Sequence, residues 1–128
     1  MQFLNFLFHG TIVGIILFQT SVIAPTVFST VNSKDTSKFL RKIFPKFFLF
    51  IISLGLMSLL HGLIYENTII EKFISIVTVF MALICYLIIP ATNSATDEGD
   101  KKKFKLLHAI SVFSTIGILL LNIFIFLI

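Results

Sequence analysis

Three histidines, His9, His61 and His108, are the side chains of this sequence best equipped for chemistry. His9 stands near the start of the first long apolar run and His61 near the end of the second. If the two runs are antiparallel membrane helices, helix rise puts both imidazoles on one side of the midplane, roughly 10 Å from it. Two imidazoles facing each other at one depth could hold haem iron or another metal. The alternative is a pair of interfacial histidines hydrogen-bonded to neighbouring helices or to headgroups. His108 belongs to the opposite side and cannot complete the same ligand set. With Ser111 and Thr115 it could open a polar path, yet no ionisable residue continues that path across the membrane. An interhelical hydrogen bond is therefore its expected role.

Other chemistries find no residues. All six acidic side chains fall in loops or at span ends, which argues against a carboxylate proton relay. There is no Ser/His/Asp set, no cysteine cluster, no glycine-rich phosphate loop and no His-Glu-x-x-His, so no catalytic residue is assigned. The run Asp97-Glu98-Gly99-Asp100 lacks the ligand spacing of a calcium loop and reads as solvated.

The elements that must position these residues are membrane helices. The chain of 128 residues is 57% hydrophobic with a mean hydropathy of +1.05, so hydrocarbon is its natural solvent. The expected fold is all-α: one integral membrane four-helix bundle over 1–128. Its spans lie at about 3–28, 46–65, 69–90 and 104–127. Nine of the ten basic residues fall in the first and third loops or their flanks, and only Lys72 lies in the second. The positive-inside rule then puts both basic loops in the cytoplasm and both termini outside. Lys38, Arg41, Lys42, Lys101, Lys102 and Lys103 are placed to meet anionic headgroups, so lipid and not nucleic acid is the partner that the charge suggests. The first span lacks a basic n-region, and Pro25 follows its only small-residue site. It is read as a retained span, and the membrane as a bacterial inner membrane.

Polar residues are grouped on the helix faces. Asn5, His9, Gln19 and Thr20 fall within an arc of about 100°, and His108, Ser111, Thr115 and Asn122 within about 60°. Both stripes should face the bundle interior. Small residues at Gly10 and Gly14, at Gly55, Ser58 and Gly62, and at Ser75, Thr78, Ala82 and Cys85 mark close helix approach. Pro25 should kink or end the first span and free the carbonyl of Ser21. Residues 38–44 form a basic amphipathic stretch, either an interfacial helix or the first turns of span 2. Ser33 or Asp35 is its candidate cap, and Pro45 separates it from the span. Pro90 is expected to end span 3, leaving 91–103 as a polar loop.

Several of these residues recur in a pattern. Ala24-Pro25-x-x-Phe28 closes span 1, Phe44-Pro45 precedes span 2, Pro90 and Asn93 follow span 3, and Leu107-His108-x-x-Ser111 opens span 4. The pattern resembles the small four-span membrane family of unknown function that includes the cisplatin-resistance-associated transmembrane protein of animal cells. The resemblance implies a four-helix bundle with Pro25, Phe28, Phe44, Pro45, Pro90, Asn93, His108 and Ser111 as signature positions. It also implies a pocket or docking surface on the cytoplasmic face. The basic residue common in that family after span 3 is replaced here by Ala95 and Thr96.

Three functional readings follow. The first is a non-enzymatic component that packs with copies of itself or in a larger membrane complex. The second is a haem- or metal-handling protein using His9 and His61. The third is a small oligomeric transporter or efflux accessory.

Overall fold

Apolar runs this long leave the backbone no hydrogen-bonding partner in lipid but itself, and helices are the result. The structure, a computed structural model, describes residues 2–128. It has four helices long and apolar enough to cross a membrane: α1 (Gln2–Thr30), α2 (Ser33–Ile64), α3 (Ile69–Glu98) and α4 (Lys101–Leu127). They run up and down in cyclic order, with α2 on α3, α3 on α4, and α1 closing the bundle against α2 and α4.

The expected spans sit inside longer helices. The basic stretch at 38–44 is the first part of α2, and Pro45 lies within that helix and does not divide it. Asn32, not Ser33 or Asp35, is the cap: its side-chain oxygen accepts from the Asp35 N–H at 2.9 Å. Likewise α3 runs through Pro90 to Glu98, so the expected loop 91–103 shrinks to Gly99 and Asp100. Thr92 and Thr96 turn their hydroxyls back onto the carbonyls of Ile88 and Thr92, which helps the extra turns satisfy their own polar groups. Gly99 ends the helix at φ 70°, a left-handed position suited to glycine. Asp100 then caps α4 by accepting from the Lys103 N–H at 3.0 Å.

Pro25 does not end the helix, which runs on to Thr30. It has no N–H to give, and the helix widens just before it into a π turn over Gln19–Ile23, closed by the Ala24 N–H on the Gln19 carbonyl. Beyond the turn, Ala24–Thr30 buries no residue.

Two ends of the molecule are thereby distinguished. The basic end carries the α1–α2 and α3–α4 connections, with nine basic residues against four acidic ones. The opposite end carries both termini and the α2–α3 turn, where Thr68 and Glu71 cap α3 reciprocally. The core between them is Ile12, Ile16, Phe47, Phe48, Ile51, Ala82, Cys85 and Ile118. Gly55 lets α2 and α3 close up: a Cβ there would stand 2.8 Å from Val79 Cγ2.

Candidate functional site

Toward the opposite end, six buried polar side chains meet in the core. His9 is fully buried, and its Nδ1 lies 2.6 Å from Asn122 Oδ1. Asn122 spends its amide hydrogens on Thr78 Oγ1 at 2.9 Å and on the Ile118 carbonyl at 2.8 Å. Its oxygen must therefore accept, which puts the proton on His9 Nδ1. The other ring nitrogen, Nε2, lies 3.0 Å from Ser58 Oγ. Ser58 is also 2.9 Å from Asn5 Oδ1 and 2.9 Å from Ser75 Oγ. Asn5 donates to Glu71 Oε1 at 2.9 Å, so the helix-capping carboxylate is tied to the network. All four helices contribute, and nearly every polar atom of the group has a partner. Such a network fixes the rotation of each helix about its axis.

The two candidate ligands differ in their surroundings. Both ring nitrogens of His9 are engaged within the protein. His61 is 5% exposed, its ring centroid 4.7 Å from that of Tyr65 at a tilt of 38° and edge-on to Phe8 at 6.3 Å, and neither of its ring nitrogens has a partner. The geometry does not present two free imidazole nitrogens to a shared iron. Among the described residues, no group of three or more His, Cys, Asp or Glu is placed to hold a metal ion.

Toward the basic end the bundle is open. A cavity of about 840 Å³ lies between α1, α2, α3 and α4. It falls within the range of about 300–1,000 Å³ usual for small-molecule sites. Past the π turn, Ala24–Thr30 buries no residue and packs only sparsely on the other helices. Five phenylalanines, Phe28, Phe44, Phe47, Phe48 and Phe104, line it among aliphatic and small polar side chains. Phe104 stacks on His108, with centroids 5.6 Å apart and planes 6° from parallel. The lining guanidinium of Arg41 is already paired with both carboxylate oxygens of Asp97, joining α2 to α3.

Polar lining comes in two kinds. Thr20, Thr92 and Thr115 donate to carbonyls of their own helices. Gln19 is different: it is 7% exposed, lines the cavity at the first position of the π turn, and its amide nitrogen has no partner. Asn93, His108 and Ser111 also line the cavity, and among the described residues none makes a side-chain hydrogen bond.

The polar stripes of α1 and α4 are thus each divided between two places. Asn5, His9 and Asn122 belong to the buried network. Gln19, Thr20, His108, Ser111 and Thr115 belong to the cavity. Of the signature positions, Phe28, Phe44, Asn93, His108 and Ser111 line the cavity. Pro25, Pro45 and Pro90 do not, yet each directly adjoins a lining residue, Ala24, Phe44 or Ile89. Lys38 pairs with Asp35 at 3.5 Å, and Lys42, Lys101, Lys102 and Lys103 remain at the basic end. Ser58, Ser75, Thr78 and Glu71 were not legible as members of the network around His9. Ser58, Ser75 and Thr78 read as small packing residues and Glu71 as a turn residue, because only tertiary contact puts them around the imidazole.

No curated protein and no solved structure matches the chain. The family model described as Domain of unknown function (DUF4149) matches residues 7–127, and so takes in every part of both sites except the start of α1. The chain belongs to the DUF4149 family, as a membrane protein of four apolar helices.

Proposed function

We propose that the protein is a non-enzymatic binding protein of the membrane, which admits a lipid-soluble molecule from the bilayer into the cavity at its basic end. The observation that carries this reading is the cavity itself, lined by all four helices at the basic end, while the other end of the bundle is internally bonded. It is the binding step of the carrier reading drawn from the polar stripes. Association with copies of the chain has less support, because Gly55, Ser58 and Gly62 on α2 and Ser75, Thr78, Ala82 and Cys85 on α3 serve contacts inside the bundle. A haem-handling role would require His9 to give up Asn122 or Ser58.

The reading includes an orientation with the basic end in the cytoplasm of a bacterial inner membrane, supported by the concentration of nine basic residues there. Kinship with the cisplatin-resistance-associated animal protein is part of the same proposal. It is supported by the placing of five signature residues around one cavity.

The chain has no tryptophan, which allows a direct test. Leu119→Trp puts a single indole in the cavity wall, and Leu120→Trp puts one on the exposed face beside it. In bilayers with brominated acyl chains, both should be quenched to a similar degree. A Leu119→Trp signal shielded from bromine would show that bilayer molecules do not enter, and the proposal would fall.

A further inference from the structure

The lining of the cavity narrows what it can hold. This step rests on the binding role proposed above and adds the chemical class of the ligand. Three features act together. First, the walls include rings: five phenylalanines and the His108 imidazole stacked on Phe104. Flat faces of this kind favour a flat partner in offset or edge contact. Second, the lining carries no uncompensated formal charge from Lys, Arg, Asp or Glu. Its one such residue, Arg41, is held bidentately by Asp97. An ionised group that left the lysines at the mouth and entered the lining would lose water and meet no free counter-charge there, which is unfavourable in a site of low dielectric. Third, hydrogen-bonding capacity is left over at depth. Gln19 is buried with its amide nitrogen unpartnered, roughly 16 Å of helix below Thr30. Asn93 and Ser111 add neutral donors from α3 and α4. A buried amide without a partner is unfavourable, and a ligand acceptor that the side chain turns to meet would relieve it.

The missing occupant is therefore uncharged, planar, and equipped with hydrogen-bond acceptors. It also has an apolar tail, which suits the apolar lining that α1 and α4 contribute. We infer that the cavity binds a prenyl quinone, with the quinone ring among the phenylalanines, a ring carbonyl accepting from Gln19, and the tail along the apolar lining of α1 and α4. No redox step is implied. The chain holds the quinone, and the chemistry of the ring belongs to whatever reduces or oxidises it elsewhere.

The test uses the intact chain in phosphatidylcholine nanodiscs. Each sample is loaded with one probe: a short-tailed menaquinone, a diacylglycerol of similar length, or phosphatidylglycerol. Native mass spectrometry reads what the released protein retains. The wild-type chain should retain one menaquinone in clear preference to the other two. Gln19→Leu should weaken retention about ten-fold, the worth of one hydrogen bond to a buried donor. The same variant should unfold at an equal or higher temperature, since it removes an unpartnered amide from the core. Ser111→Trp, which fills the cavity, should retain nothing.

Each contrary result has a distinct meaning. Equal retention of diacylglycerol, or Gln19→Leu binding menaquinone as well as wild type, would overturn the quinone assignment and leave the binding role intact. A preference for phosphatidylglycerol would overturn it on the charge argument. Retention of no probe by wild type, together with a shielded Leu119→Trp, would remove the binding role itself.

Discussion

At the scale of single residues, His9 and His61 look alike in sequence and behave oppositely in the fold. Each lies near the end of an apolar run and each is buried. His9 holds Asn122 and Ser58 with its two nitrogens, whereas His61 offers its ring only to Phe8 and Tyr65. Replacing His9 by Leu leaves Asn122 Oδ1 without its donor in a core that water does not reach. Polar bonds between membrane helices are worth about 0.6–2 kcal/mol, and a stranded buried acceptor raises the loss toward about 1–3 kcal/mol. Unfolding of purified variants in mild detergent should therefore show His9→Leu destabilised by about 1–3 kcal/mol. His61→Leu should lie within about 0.5 kcal/mol of wild type or above it, because no hydrogen bond is lost. If the two variants prove equally harmful, the assignment of His9 as the organiser of the network is wrong.

At the scale of elements, the contact that matters most is α2 on α3. It brings Ser58 to Ser75, and it allows Arg41 to reach Asp97 at the basic end. Lipid tails are as apolar as the side chains, so close packing and not exclusion of water holds these helices together. Gly55 makes the approach possible: Val79 and Thr78 occupy the place a side chain would need. Gly55→Leu should push the helices apart, at about 1–3 kcal/mol in the same unfolding measurement. Gly14, with nothing within 4 Å of its would-be Cβ, should accept Leu with little change, and a large loss there would point to a packing partner on that face. The prolines act at this scale too. Pro25, Pro45 and Pro90 read naturally as breakers, and Pro25 does perturb its helix. The other two are carried inside helices of 32 and 30 residues. One lost N–H is a local defect, and the tens of bonds on either side keep the helix continuous.

At the scale of the whole molecule, the two ends have different characters. One is closed by a four-helix polar network, and the other is open, partly aromatic-walled and surrounded by lysines. A single-cysteine series in a Cys85→Ala background would show which end faces which compartment. With the orientation proposed here, a cysteine at Lys102 should react with a membrane-impermeant maleimide only in broken or inverted membranes, and one at Asn67 should react in intact cells. The reverse pattern would invert the proposed topology and place the cavity mouth on the other side.

The all-helical, four-span character of the chain is determined by sequence alone. Apolar runs of this length have one way to satisfy their backbones in lipid, and loop charge divides the two ends without reference to any contact. The polar arcs were legible for the same reason: helical periodicity assigns residues to a face without knowledge of the neighbour. Tertiary structure alone decided what those faces meet. Asn5 and Gln19 share one arc of α1, yet the first enters a bonded network and the second, where the π turn begins, lines a cavity. Whether a buried polar group is satisfied depends on atoms supplied by other helices. Such atoms are tens of residues away in sequence, and periodicity within one helix carries no information about them.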